Sequence, residues 1–258
     1  MRSKHDHLPR RLLVGQEERI FDVLPQSVLA NLYHAASENA LLWNLIYPLA
    51  QPTLSLAALL SLRPLWGTAA LQADEDDLRP YYWGYSVDGE RLPGLDQALD
   101  SVDGPGPRTE VDLFLVGETN LVLVEAKHMS GPGRCSRYGS GRCPEVHVEE
   151  VGAQESCRYW ELPSSRFDRL LELGERPQPD DTAPPCNRHY QLARTLTLGA
   201  TLAAEHGLDL HLWMITPRSR WASLQKSWLD FAERVREDSV WRRMRVLSWE
   251  TIAGLPTH

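Results

Sequence analysis

Apolar residues recur along this chain with two different periods, and the switches between them outline the fold. Leu29, Leu32, Tyr33, Ala36, Ala40, Trp43 and Ile46 or Tyr47 fall near helical spacing, which predicts one helix over 26–49, ended by Pro48 and Pro52. A short helix is expected over 54–62 and a strand over 81–87, with Asp103-Gly104-Pro105-Gly106-Pro107 as a loop. Two β-rich apolar runs follow, Leu113-Phe114-Leu115-Val116 and Leu121-Val122-Leu123-Val124, joined by Gly117-Glu118-Thr119-Asn120. That pattern predicts a hairpin. Residues 130–185 read as irregular, with helices expected at 148–160 and 166–173. A helix over 187–206 stops at Gly207, and a strand over 208–215, a helix over 221–236 and a last strand over 244–249 complete the chain. Such an order predicts an α/β domain with a mixed central sheet flanked by helices, spanning 1–258 and carrying an insertion at 131–186.

Composition narrows the class without naming a function. Hydrophobic content of 42% and charged content of 24% are those of a globular protein able to bury a core. No apolar run approaches the roughly 20 residues of a membrane span, so no membrane partner is expected. Residues 1–7 carry basic side chains with no apolar segment behind them, and a cytoplasmic location is expected. The net charge of −8 does not favour nucleic acid, but its distribution is uneven. Acids dominate 74–103, whereas 218–245 holds eight basic residues against four acids, a local net of +4 that could face phosphates.

The chemistry concentrates at one end of the predicted hairpin. Side chains two apart on a strand share a face, so Glu125 and Lys127 point one way and Ala126 the other. The hairpin returns Asp112 to the same end, gathering two acids and a lysine. Carboxylates are hard-oxygen ligands suited to Mg²⁺ or Mn²⁺, and lysine is a mobile point charge. A plain surface ion pair is the competing reading.

Asp112, twelve intervening residues and then Glu125-Ala126-Lys127 resemble the signature of the PD-(D/E)XK nuclease superfamily, with Val111 where that signature has proline. The resemblance implies a restriction-endonuclease-like αβββαβ core and Mg²⁺- or Mn²⁺-dependent hydrolysis of phosphodiester bonds. It implies metal binding by Asp112, Glu125 and the backbone carbonyl of Ala126. Lys127 would orient or help deprotonate a water, its pKa lowered by the metal. It further implies an acid from the first core helix, Glu38, and a polar residue on the helix after the lysine, Gln191, with Arg194 three positions on. Residues 35–45 also resemble the first helix of a bacterial restriction-endonuclease-like family. DNA is the expected substrate and RNA the alternative. A catalytically silent nucleic-acid-binding or complex-assembly module on the same fold is the rival, and the intact Asp112, Glu125 and Lys127 set speaks against it. The oligomeric state is open, a homodimer being one option.

Cys135, Cys143, Cys157 and Cys186 all fall inside the insertion, without a C-x-x-C pair. Structural Zn²⁺ and unliganded buried thiols are two readings of that clustering. An iron–sulfur cluster, implied by some superfamily members, is a third. His128, His147 or His189 could replace one sulfur ligand.

Overall fold

A computed structural model describes residues 13–34, 37–67, 75–151, 156–179 and 181–255. Within them seven strands form one mixed sheet: β1 Leu54–Ser55, β2 Trp66–Gly67, β3 Asp77–Tyr82, β4 Leu113–Val116, β5 Asn120–Ala126, β6 Asp209–Thr216 and β7 Arg245–Ser248. Their spatial order is β1-β3-β4-β5-β6-β7-β2. The centre is an antiparallel meander of β3, β4 and β5, onto which β6 and then β7 add in parallel. With helix Glu38–Ile46 before it and helix Tyr190–His206 between β5 and β6, this is the expected αβββαβ order.

Both faces of the sheet are covered, which is why β5 is buried along its whole length. Alternation divides its side chains between two cores: Leu121 and Leu123 into one, Val122, Val124 and Ala126 into the other. Helix Tyr190–His206 seals the first face with Leu192, Leu196 and Leu202. Helix Glu38–Ile46 seals the second with Leu42, Trp43 and Ile46. Gly199 lets the long helix lie close against the sheet, since a Cβ there would sit 2.8 Å from Leu210 and 2.9 Å from Leu123.

Several elements depart from the sequence expectation, each for a local reason. The single helix over 26–49 is two, Gln26–Leu32 and Glu38–Ile46. Ser37 is extended and its hydroxyl accepts from the Ala40 amide at 3.0 Å, so it starts a new helix. Residues 35 and 36, inside the expected helix, lie outside the described residues. The strand expected over 81–87 ends at Tyr82, because Trp83 and Gly84 take positive φ of 50° and 83° and turn the chain. Helix Leu95–Asp103 was not foreseen. The helix expected over 148–160 comes as two four-residue helices, Val148–Val151 and Arg158–Glu161, and 152–155 lie outside the described residues. Only a short 3-10 turn, Phe167–Arg169, stands where a helix over 166–173 was expected.

The far end of the hairpin is closed by a buried acid. Asp76 accepts from the amides of Glu118, Thr119 and Asn120 at 2.9–3.1 Å and from the Asn120 side chain at 2.9 Å. His211 Nε2 lies 2.9 Å from Asn120 Oδ1, and burial pulls that imidazole down to about 3, so it is neutral and donates. Replacing Asp76 by alanine leaves the turn amides without their acceptor and is expected to cost about 2–4 kcal/mol in denaturant unfolding. A loss below about 0.5 kcal/mol would show that water replaces the carboxylate there.

Candidate active site at the end of the central hairpin

Leu113 pairs with Val124 in the β4–β5 register, so one step further Asp112 comes opposite Glu125. Asp112 Oδ2 accepts from the Ala126 amide at 2.8 Å, which ties the two strand ends together. Glu125 and Lys127 lie on the Leu121–Leu123 face, as alternation requires, and are 1% and 5% exposed. The Lys127 ammonium donates to Glu125 Oε1 at 2.7 Å. Two further bonds fix the Lys127 backbone: its amide donates to Ile215 O at 2.8 Å, and Trp249 Nε1 donates to its carbonyl at 3.1 Å.

The other two expected side chains arrive from opposite layers. Glu38, first residue of its helix, places Oε1 2.8 Å from the His128 amide and 3.0 Å from the Ser130 hydroxyl, so it holds the loop that leaves the lysine. Its charge also acts on Asp112, Glu125 and Lys127. Gln191 opens the long helix on the other face; its amide nitrogen donates to Glu125 Oε1 and its carbonyl accepts from the Gly133 amide. Hydrogen bonds thus bring Lys127 and Gln191 onto Glu125, Asp112 onto the neighbouring Ala126 amide and Glu38 onto the loop after Lys127, across up to 153 positions in sequence.

The electrostatics of the cluster are those of acids crowded out of water. Burial raises the Asp112 carboxyl to about 8 from an ordinary 3.8, and the Glu125 charge adds to the rise. Burial raises Glu125 as well, against the pull of Lys127. Burial alone would lower Lys127, but Glu125 and Asp112 more than reverse this and hold it as an ammonium. Lys127 is thereby a cationic donor toward Glu125.

A linkage follows with a definite sign. A carboxyl raised on folding stabilises the fold fully below its unfolded value and loses that contribution as pH climbs through the folded one. For Asp112 the window runs from 3.8 to about 8. In chelator, Asp112→Asn is expected to melt above the wild type by at least about 1 kcal/mol, or about 2–4 °C, with the margin widening from about pH 5 to about pH 8.5. A margin that stays flat over that range would contradict it.

Glu125 Oε2 is buried and has no hydrogen-bond partner, although its sister oxygen has two. A buried carboxylate oxygen left bare beside a second acid is what a hard cation would satisfy. Among the described residues no three His, Cys, Asp or Glu side chains already surround one point. Mg²⁺ does not require that, since it is commonly held by one or two carboxylates and completes its shell with water. The donor set fits a divalent cation.

Other expectations are redistributed. Arg194 pairs with buried Asp103 at 2.9 Å and also lines the cleft beside Gln191. The basic stretch 218–245 does not form one phosphate-facing surface. Arg234, Arg236, Arg242 and Arg243 pair with Asp230, Glu172, Asp238 and Asp209, and Arg245 is buried, donating to the carbonyls of Leu60 and Leu62. Sequence reading missed Asp103, whose partners are all distant in sequence or in a loop. It also missed a cleft of about 250 Å³ beside Gln191, lined by Arg108, Thr109, Glu110 and Arg134 among others. Arginines flanking the Asp112 and Lys127 segments were the available signal.

No helix of the described residues is long and apolar enough to cross a membrane. The profile of a family described as "Restriction Endonuclease associating with ARP" matches residues 25–256. No curated protein and no solved structure matches the chain.

Proposed function

The chain belongs to the restriction-endonuclease family described as associating with ARP, and from that premise we propose that it is a nuclease that hydrolyses DNA phosphodiester bonds with Mg²⁺ or Mn²⁺. The observation that carries the reading is the bare, buried Glu125 Oε2, on a carboxylate whose other oxygen pairs with the Lys127 ammonium and whose charge raises the Asp112 acid. At the Asp112 and Glu125 carboxylates, with the Ala126 carbonyl and Glu38 as further oxygens, a divalent cation would supply an activated water and neutralise phosphate charge.

The chain's own groups do the rest. Gln191 and Lys127 both bond Glu125 Oε1, which fixes the carboxylate plane and leaves Oε2 free to take a cation. Lys127 donates toward the attacking water or the oxygen on which charge develops. Glu38 holds the 128–130 loop at the lip of the site. Arg134 lines the neighbouring cleft, where an adjacent backbone phosphate would lie. Water adds to phosphorus as the P–O bond to the leaving oxygen breaks, and a proton passes to that oxygen. We further propose that the chain associates with ARP, as its family is described to do.

The test is incubation of the full chain with supercoiled plasmid and, in parallel, a structured RNA, in Mg²⁺, in Mn²⁺ and in chelator. Nicked or linear plasmid in either metal and none in chelator is the expected result. Cleavage of RNA alone would move the substrate class. Neither substrate cut in either metal would overturn the enzymatic reading and leave a silent module.

A further inference from the structure

We propose that Cys135, Cys143, Cys157 and Cys186 bind one Zn²⁺ ion, which fastens the insertion to the start of helix Tyr190–His206. All four cysteines line a single pocket, together with the aromatic side chains of Tyr159, Trp160 and Phe167. They come from four separate segments of a 52-residue stretch that contains no strand and no helix longer than four residues among the described residues. A segment this loop-rich gathers few apolar contacts of its own, and a metal tie is the usual remedy.

The surroundings of the sulfurs suit thiolates. Backbone amides of Arg137 and Tyr138 face the Cys135 sulfur, that of Tyr159 faces Cys157, and that of Asn187 faces Cys186. Such N–H groups stabilise negative sulfur. None of the four cysteines is in a disulfide.

The room available selects the ion. The pocket offers about 20 Å³, close to the share of a single small atom and far less than a cluster that adds four irons and four sulfides. No three candidate ligands among the described residues yet surround one point, so binding requires the four side chains around the pocket to draw together. Rival donors are already engaged. His147 Nδ1 accepts from the Cys143 amide at 3.1 Å, His189 bonds Asp230 at 3.0 Å, and Glu145 pairs with Arg176. Four sulfurs leave no open position, so the site is structural and separate from the acid cluster.

Its output is position. The Cys135 amide donates to the Asn187 side chain at 3.1 Å, and four residues beyond Asn187 stands Gln191, which grips Gly133 and Glu125. Elemental analysis of the full chain, purified anaerobically without chelator, is expected to give one zinc per chain. A mercurial should release that zinc as it titrates four thiols. Cys143→Ser and Cys157→Ser should each lose the zinc and melt lower, whereas Asp112→Asn should keep one zinc per chain whether or not any nuclease activity is found. Iron with sulfide, four titratable thiols with no zinc, or zinc lost in Asp112→Asn and kept in both serine variants would each overturn the proposal.

Discussion

Replacing Lys127 by methionine is expected to lower plasmid cleavage by about 10²–10⁴-fold, the usual span for loss of a positioned proton donor or charge. Asp112→Asn and Glu125→Gln keep the shape of the carboxylates and remove their charge, and should cost at least as much, because several kcal/mol of charge stabilisation go with the cation. The isosteric choices matter here. Glu125→Ala would also take away the oxygen that the Lys127 ammonium and the Gln191 amide both bond, and the stability lost with two bare buried donors could pass for lost catalysis. Circular dichroism and melting in chelator separate the two effects. All three variants should fold, and cleavage persisting at the wild-type rate in all of them would remove these residues from the chemistry.

The second large effect lies under the site. Asp103 is 1% exposed and accepts from Arg194 at 2.9 Å, from the Thr109 hydroxyl at 3.0 Å and from the Tyr159 hydroxyl at 3.2 Å. Its backbone carbonyl takes a further bond from Arg158. One carboxylate therefore joins helix Leu95–Asp103, the loop leading to Asp112, the insertion and the helix that carries Gln191. Asp103→Ala strands the Arg194 guanidinium in a site only 12% open to solvent and is expected to cost about 3–5 kcal/mol. Denaturant unfolding measures it directly. Asp103→Ala paired with Arg194→Met should recover part of the loss, and a single variant within about 1 kcal/mol of wild type would contradict the hub.

The parts of this fold legible in sequence are those whose periodicity is undisturbed. Leu113–Val116 and Leu121–Val124 alternate between two cores, and Asp112, Glu125 and Lys127 were legible because they follow directly from those strands. Helix Tyr190–His206 announced itself with seventeen residues and a left-handed Gly207 behind it. What stayed hidden was decided by single polar residues or by distance. Ser37 breaks an apolar rhythm that continues on both sides, and only its cap geometry shows the break. Leu95, Ala98, Leu99 and Val102 do form a helical stripe, but they are embedded in an acidic stretch whose charges drew the eye first. Arg194 shares a helix with Gln191, and nothing along the chain tells that one reaches Glu125 and the other Asp103. Convergence of the four cysteines on one pocket was equally a property of loops without a period.

The parallel pairing of β5 with β6 has a consequence for how the chain is made. Residues 127–208 lie between the two strands, so at about 5–20 residues per second a ribosome delivers β6 on the order of ten seconds after β5. Through most of that interval the β3–β5 meander has an open edge, apolar over Leu121–Val124, and neither the Tyr190–His206 helix nor β6 to cover it. The nascent chain is most prone to aggregate then, and a chaperone would find its strongest purchase on Asn120–Ala126. Yield of native protein should accordingly depend on temperature and chaperone supply during synthesis far more than the stability of the finished fold would suggest.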